Sequence, residues 1–156
     1  MSSEFKPETF FPGCSNAEIH TQYAALCYRM KGDKPQILLI TSRGTGRWVV
    51  PKGWPMSGKT PEEAALREAY EEAGVMGRAG RRPIGIYPYY KVLEKGDDLP
   101  TVVTLFPVRV RLLKAEFPEM DQRRRKWFSR KKAAARVEEP ELARMLRKFD
   151  PSKLRG

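Results

Sequence analysis

Three glutamates, Glu68, Glu71 and Glu72, follow one another at helical spacing within the stretch PKGWPMSGKTPEEAALREAYEEAGVMG, which covers residues 51–77. Residues three and four apart are neighbours on a helix, so these carboxylates would share one face and repel one another. A divalent cation held by oxygen ligands would turn that repulsion into attraction, and Mg²⁺ or Mn²⁺ suits such ligands. The spacing therefore predicts a metal-binding helix, with a solvated acidic face as the alternative.

Both ends of the helix that would position these glutamates are marked in the sequence. Thr60 is a good N-cap, Pro61 suits the first helical position, and Glu63 completes a capping box with Thr60. Gly74 follows the last periodic residue and predicts the end of the helix. The residues that we expect to face the protein core, opposite the glutamates, are Leu66, Ala69, Tyr70 and Ala73.

The same stretch resembles the Nudix box, a motif written G-x5-E-x7-R-E-U-x-E-E-x-G-U, in which U is apolar. The residues that match this motif in register are Gly53, Arg67, Glu68, Ala69, Glu71, Glu72, Gly74 and Val75. One position departs, because Lys59 stands where the motif has its first acidic residue. In the family that residue is mainly structural, so the departure concerns the loop geometry more than metal binding.

The resemblance implies a role for each polar residue of the box. Glu68 and Glu72 would be the main side-chain ligands of a Mg²⁺ or Mn²⁺ ion, and the carbonyl of Gly53 would be a backbone ligand. Glu71 would be a further metal ligand or the general base, and Arg67 would hold the acidic face in register. The predicted catalytic residues are therefore Arg67, Glu68 and Glu71.

Later loops offer candidates for one further catalytic carboxylate, which many members of the family have. These candidates are Glu94, Asp97, Asp98, Glu116 and Glu119. The sequence does not choose among them, because solvated acidic residues are common in loops.

A more specific resemblance, to the diphosphoinositol polyphosphate phosphohydrolase group, extends over roughly residues 23–130. The runs that carry it are AALCYR, ILLITSR followed by GRWVVPKG, REAYEEAGV and RRRKWF. It implies that Arg43, Lys52 and Arg125 contact phosphate groups, although Arg125 could instead belong to a solvated basic run. Lys59 is expected to project beside the metal site, where it would also attract a phosphate chain.

Two departures from this group keep the substrate open. The sequence TQY at residues 21–23 replaces a basic cluster, and KGW at residues 52–54 replaces three consecutive glycines. Trp54 could stack on a purine or narrow the pocket. The resemblance therefore implies hydrolysis of phosphoanhydride bonds in diadenosine or nucleoside polyphosphates or in diphosphoinositol polyphosphates, without deciding between them.

The chain is strongly basic, with 30 lysines and arginines against 19 acidic residues and a formal net charge of +11. Such a balance favours polyanionic partners, and a phosphorylated small-molecule substrate satisfies it. One alternative is an RNA 5′-pyrophosphohydrolase, although the basic run at residues 123–126 is short and carries no nucleic-acid motif. Another is a non-catalytic polyphosphate-binding module, although all three box glutamates are retained.

Residue patterns predict a mixed α/β domain. Strands are expected at residues 22–30, 36–42, 48–50, 101–113 and 126–129 and within 81–90, and helices at 131–137 and 139–149. Pro107 lacks a backbone donor, so its strand is expected at a sheet edge or with a bulge. The family resemblance implies a Nudix-type α/β/α sandwich with a mixed β-sheet, a topology that the pattern alone does not fix.

The 156 residues are expected to form an N-terminal arm at 1–17, a single domain at 18–150 and a tail at 151–156. No apolar run is long enough for a membrane span, and MSSEFKPETFFPG does not resemble a signal peptide. The two cysteines, Cys14 and Cys27, indicate neither a disulfide framework nor a zinc site. The cytoplasm is therefore the expected compartment, and the oligomeric state stays open.

Overall fold

The computed structural model describes residues 10–15, 18–91 and 98–154. Its strands are β1 (His20–Lys31), β2 (Lys34–Thr41), β3 (Trp48–Val49), β4 (Lys52–Gly53), β5 (Val75–Ala79), β6 (Gly85–Lys91), β7 (Leu99–Leu113) and β8 (Arg125–Ser129). Its helices are α1 (Pro61–Ala73), α2 (Arg130–Arg136) and α3 (Pro140–Lys148), and a 3-10 turn follows at Pro151–Lys153.

The described strands join one mixed sheet. Its main path runs β3, β2, β1, β7, β5, while β4 pairs with β1, β6 with β7 and β8 with β2. The central pair, β1 and β7, is parallel, and the other pairs are antiparallel. The central pair joins strands from distant parts of the sequence, which is why local pattern could not predict this topology.

Helices cover both faces of the sheet. On one face, Ala25 and Cys27 of β1 belong to the core that α1 closes. On the other face, Ala24 and Leu26 belong to the core that α2 and α3 close. Successive residues of a strand point to opposite faces, so this alternation within β1 builds two cores. The arrangement is an α/β/α sandwich with a mixed sheet, which confirms the predicted fold class.

The helix α1 begins and ends where the sequence predicts. The Thr60 side chain accepts a hydrogen bond from the backbone N–H of Glu63, whose own side chain accepts one from the backbone N–H of Thr60. Gly74 ends the helix with a φ of 70°. A Cβ atom there would lie 2.6 Å from the Phe117 side chain and 2.8 Å from that of Arg125, so the site needs glycine for space as well as for conformation.

The face of α1 that packs on the sheet agrees in part with the prediction, because Ala69 and Ala73 are buried. Leu66 is only partly buried but packs against the core, whereas Tyr70, which was also expected in the core, is partly exposed. The residues that are buried are Ala64, Ala65, Ala69, Glu72 and Ala73. Small alanine side chains allow the helix backbone to approach the sheet closely, and this approach carries Glu72 into the contact. The glutamates therefore do not share a solvent-facing side opposite the core.

Pro107 lies inside the sheet, which corrects the predicted edge position, whereas its strand does contain a bulge farther along, where the pairing shifts register between Met76 and Gly77. On one side of β7 it stands opposite Leu26 of β1. On the other side β7 changes partner, because β6 pairs as far as Leu105 and β5 begins at Val108. The Pro107 carbonyl accepts from the N–H of Gly80 at 2.8 Å on this second side. The missing donor therefore falls between two partner strands, where it removes no ladder bond.

The sequence pattern does not predict two of the strands. β4 lies in a segment that was expected to be a loop, and β5 follows Gly74 without a break. Both strands contain a glycine in close contact with a neighbouring group: Gly53 contacts the Glu68 side chain, and Gly77 contacts the backbone of Arg109. A glycine in a sequence usually suggests a loop, whereas these two glycines lie in strands and leave space for a neighbouring side chain or backbone.

Part of the predicted N-terminal arm is held on the domain. Phe11 is buried, and its ring packs edge-on against that of Tyr90 with centroids 5.1 Å apart. The division of the chain at residues 17/18 and 150/151 stays a prediction. None of the helices in the described part of the chain is long and apolar enough to cross a membrane.

Candidate active site

Glu68 projects from α1 onto the backbone of Gly53 in β4. A Cβ atom at residue 53 would collide with the Glu68 carboxylate, so any larger residue would displace it. Gly53 is held in this position because β4 pairs with β1, where Tyr23 stands opposite. A carboxylate and the backbone of the glycine segment thus meet at one point, as a shared ligand would require.

Glu72 lies one helical turn from Glu68 and is 6% exposed. Burial raises the pKa of Glu72 well above its ordinary value, and the adjacent Glu68 carboxyl raises it further, while Arg123 opposes both effects. Burial also raises the pKa of Glu68, and repulsion from Glu71 and Glu119 adds to this. Two carboxylates in this setting are stable only if they share a proton or neutralise a cation.

The guanidinium of Arg123 joins these acidic residues to the sheet. Its Nε donates to Glu119 Oε1 at 2.7 Å, its Nη1 donates to the carbonyl of Thr41 at 3.0 Å, and its Nη2 lies 3.7 Å from Glu72 Oε1. The side chains of Arg123 and Glu72 are only 10% and 8% exposed. The sequence pattern assigns no role to Arg123, and the one signal for it is its place at the start of RRRKWF.

Glu71 forms a separate ion pair beside this cluster. Its Oε2 accepts a hydrogen bond from Arg67 Nε at 2.7 Å, and its side chain is 30% exposed. Among the described residues, no three acidic, histidine or cysteine side chains lie close enough to form a ready-made metal site. The expected triplet therefore divides into the Glu68–Glu72 pair and the Glu71–Arg67 ion pair.

The Glu68–Glu72 pair still fits a small hard cation. Mg²⁺ in proteins is usually bound through one or two carboxylates and keeps several waters. The Glu68 and Glu72 side chains are two such carboxylates, and the backbone of Gly53 lies next to Glu68. A cation would also remove the electrostatic cost that raises the pKa of Glu72. The residues present are therefore compatible with Mg²⁺ or Mn²⁺ without a third carboxylate in contact.

Of the candidate additional carboxylates in the described residues, Glu119 is the one that the structure brings to this cluster. It accepts the hydrogen bond from Arg123, and its backbone N–H donates to the carbonyl of Glu71 at 3.0 Å. Asp98 and Glu116 are exposed. The other two candidates, at positions 94 and 97, lie outside the described residues.

Arg43 and Lys52 lie on different sides of the sheet. The Arg43 side chain is 59% exposed, and its Nε lies 4.0 Å from Glu119 Oε1, at the rim of the acidic cluster. The Lys52 ammonium lies 4.5 Å from the centroid of the Tyr89 ring, on the face that α3 covers. Burial lowers the pKa of Lys52 to about 8, although attraction to Glu72 opposes this. Arg43 is thus directly accessible to an anion, whereas Lys52 is mostly enclosed.

Arg125 has structural partners that the sequence does not predict. Its Nη1 donates to the carbonyl of Ala73 at 2.6 Å, at the C-terminal end of α1, where a positive charge is favourable. Its guanidinium also lies 4.8 Å from the centroid of the Phe117 ring. The predicted contact with phosphate would have to compete with these interactions.

Two further polar residues near Lys52 were not selected from the sequence as binding residues. Within the described part of the chain, Gln22 Oε1 and Arg47 Nη1 are buried side-chain atoms without a hydrogen-bond partner. Arg47 is oriented by Glu139, to which its Nη2 donates at 3.1 Å. Unpartnered buried polar atoms are costly, so these two have unused capacity to bind a polar ligand.

Residues 20–149, from the start of β1 to the end of α3, match the sequence model of the NUDIX domain. The chain belongs to the Nudix family. The glycine, the paired glutamates and the left-handed C-cap of α1 that the structure brings together are residues of the Nudix box that the sequence analysis identified.

A comparison with related sequences supports the resemblance to one group within this family. Diphosphoinositol polyphosphate phosphohydrolase 3-alpha of Mus musculus is 34% identical to this Nudix domain over 107 residues. The alignment covers 67% of this chain and 61% of the mouse protein, which is less than two thirds of the relative's length.

Solved structures confirm the fold. An Ap4A hydrolase of C. elegans superposes with a TM-score of 0.60 at 21% identity, covering 84% of this chain and 96% of that one. A dihydroneopterin triphosphate pyrophosphohydrolase of E. coli gives a TM-score of 0.61 at 15% identity, covering 83% and 93%. At these identities the likeness establishes the α/β/α architecture of the Nudix domain and not its substrate.

Lys59 of this Nudix domain lines a groove along α1 together with Arg67 and Tyr70. The expected attraction of a phosphate chain by Lys59 beside the metal site stays a prediction.

We expect Arg123→Gln to lower the free energy of unfolding by about 3 kcal/mol, because it leaves the buried Glu72 and the half-buried Glu119 without their counter-charge. Urea unfolding measures this change. Arg124→Gln is the matched control, since that neighbouring side chain is exposed, and it should change stability by about 0.5 kcal/mol or less. Equal stability of the two variants would mean that Arg123 does not hold the acidic cluster.

Proposed function

We propose that this Nudix domain is a Mg²⁺- or Mn²⁺-dependent hydrolase of phosphoanhydride bonds. The proposed substrates are diadenosine or nucleoside polyphosphates or diphosphoinositol polyphosphates, classes that the names of its relatives and structural neighbours suggest. The observation that carries the proposal is the adjacent Glu68 and Glu72 carboxylates beside the backbone of Gly53. Such a pair is costly without a cation and well suited to one.

The residues around this pair have separate proposed roles in the hydrolysis. A bound divalent ion would polarise a phosphoryl oxygen and lower the pKa of the attacking water. Glu68, Glu72 and the carbonyl of Gly53 are the proposed ligands. Glu71, which Arg67 orients through a 2.7 Å hydrogen bond, is the proposed general base. It would accept the proton of the water as the oxygen attacks phosphorus and the bridging oxygen leaves.

Glu119 is the proposed additional carboxylate. Its position depends on Arg123, which donates to it at 2.7 Å, and on the hydrogen bond of its backbone to α1. The Arg123 guanidinium contacts both Glu119 and Glu72, so this carboxylate lies beside the cluster, where it would bind a second ion or the attacking water. We therefore give it precedence over Asp98 and Glu116, which are exposed.

Basic and polar residues on both sides of the cluster would bind the substrate. Arg43 is the proposed contact for the outer phosphates, because its guanidinium is exposed at the rim. Lys52 would attract phosphate from the enclosed side, together with the unpartnered Nη1 of Arg47. Gln22 Oε1 would accept a hydrogen bond from the part of the substrate that carries no phosphate. These contacts suit either a nucleoside or an inositol moiety.

A purely binding role explains the site less well. Such a module has no need for box carboxylates, whereas Glu68, Glu71 and Glu72 are all present.

The proposed compartment is the cytoplasm, which is consistent with Cys27 being a buried free thiol.

The proposed function is tested by a substrate screen in the presence of Mg²⁺. Diadenosine polyphosphates, diphosphoinositol polyphosphates, nucleoside triphosphates and 5′-triphosphate RNA are compared at equal concentration, and the released phosphate species are identified. We expect turnover of the first two classes to exceed the others at least tenfold. Selective release from RNA would reassign the protein as an RNA 5′-pyrophosphohydrolase, and no release from any class would contradict a hydrolase.

Glu72→Gln should lower kcat at least a hundredfold on the best substrate of that screen. Loss of a charged metal ligand removes ~3 kcal/mol or more of transition-state stabilisation. The melting temperature should not fall, since glutamine has the same shape and removes a buried charge. Glu62→Gln, in the first turn of the same helix, is the control and should retain activity. Near-normal turnover by the Glu72 variant would disprove the assignment of this residue as a ligand.

Millimolar Mg²⁺ or Mn²⁺ should raise the melting temperature of the wild type by several degrees, whereas Ca²⁺ should not support turnover. A ligand that binds only the folded state stabilises it by about 2.7 kcal/mol at a concentration a hundredfold above its Kd. Differential scanning calorimetry measures the shift, and Glu72→Gln should show a smaller one. Identical shifts in both proteins would place the bound metal elsewhere.

A further inference from the structure

A groove with a volume of about 630 Å³ opens where β5 pairs with β7. Three arginines, Arg78, Arg109 and Arg111, line it. Its apolar lining includes Pro107 and Leu154, and none of the residues assigned above to metal or phosphate binding lines it. The groove is therefore separate from the candidate active site.

The backbone places two of these arginines directly opposite each other. Arg78 of β5 pairs with Arg109 of β7 in the antiparallel register. Side chains in such a pair have Cβ atoms about 5 Å apart, and like charges there destabilise a sheet. The register then shifts, because Met76 faces Leu112 and the next residue of β5 faces residue 110. Arg111 is thus the extra residue of a β-bulge, a feature that commonly re-aims a side chain.

The positive charge of the groove is not balanced by the protein. All three arginines are exposed, and none is a member of the ion pairs formed among the described residues. No acidic residue is among the described residues that line the groove. Two other exposed arginines, Arg43 and Arg67, have the acidic partners Glu119 and Glu71, so what distinguishes the groove is that its three arginines lie together along one strand pair.

We propose that this groove is a second anion-binding site, which takes a small molecule carrying two or more phosphate groups. Guanidinium groups bind phosphate through paired N–H donors, and a ligand with several phosphates would bridge the opposed arginines and relieve their repulsion. The groove volume lies within the range of small-molecule sites, roughly 300–1,000 Å³. The three arginines stand at one end of one strand pair, so a single ligand can reach all of them.

The lining of the groove favours a small molecule over single-stranded RNA. Proteins that bind single strands without sequence preference stack bases on exposed aromatic side chains. The aromatic residue of this groove is Tyr28, which is 6% exposed and packs edge-on against Phe149 with centroids 5.0 Å apart. Its ring is therefore committed to the core and cannot serve as a stacking platform.

Binding of myo-inositol hexakisphosphate, measured by isothermal titration calorimetry, tests the proposal. This probe has several phosphates and no diphosphate bond for a hydrolase to cleave. The titration is run in EDTA, so that no divalent metal assists phosphate binding at the Glu68–Glu72 pair, and the share of binding that belongs to the groove is read from the variants below. The result does not depend on turnover, so it can fail or succeed independently of the proposed function.

The wild type is compared with the double variant Arg78→Gln/Arg109→Gln. Removing two opposed like charges should leave the melting temperature equal or higher, so loss of binding cannot be attributed to unfolding. The matched control is Lys131→Gln/Lys132→Gln, which removes the same charge from exposed positions on α2. That helix contacts β2 and β8, at the far side of the sheet from β5.

We expect the wild type to bind about one equivalent of the probe, the groove variant to bind it at least tenfold more weakly, and the control to bind within about threefold of the wild type. Equal affinities of the two double variants would overturn the proposal. A single-stranded RNA of ten nucleotides is titrated in parallel. If its affinity depends on Arg78 and Arg109 more strongly than that of the hexakisphosphate does, the groove is a nucleic-acid site and the proposal is also overturned.

Discussion

The close approach of α1 to the central strands is the constraint on which the candidate site depends. Alanines at positions 65, 69 and 73 pack against the sheet, and their small side chains bring the helix backbone near it. A carboxylate beside these alanines is removed from water, as Glu72 is. An isolated buried charge is costly in free energy. Glu68 lies beside it, together with the backbone of Gly53 and the guanidinium of Arg123, and the proposed metal ion would neutralise this pair of carboxylates.

Charge in this molecule is arranged as an acidic centre within a basic chain. The net charge of +11 draws polyanions toward the surface, while the Glu68–Glu72 pair repels them unless it is neutralised. Metal and phosphate would therefore bind cooperatively at the candidate site. Arg123 contributes a fixed positive charge inside the cluster. Its Nε and Nη1 donate to Glu119 and Thr41, and its side chain is only 10% exposed, so it orients the acids and leaves the phosphate to other groups.

Pro107 divides the central strand β7 into two halves with different surroundings. The half before it pairs with β6. The ring of Tyr89 in β6 contacts the ammonium of the enclosed Lys52. The half after it pairs with β5 and carries the opposed arginines. One strand thereby borders both the enclosed surroundings of Lys52 and a separate basic groove, and its partner strand changes at a residue without an N–H.

The sequence by itself determined the parts that depend on local chemistry. The capping box, Gly74 and the register of the box glutamates are short-range patterns, and the structure realises each of them in α1. Tertiary structure decided that Ala64, Ala65 and Glu72 are buried together with the predicted Ala69 and Ala73, because close approach of a helix backbone to a sheet favours alanine over larger side chains. It also decided that Arg123 reaches Glu72 across 51 residues of sequence and that Arg78 opposes Arg109. Such contacts arise from strand register, which no local spacing encodes.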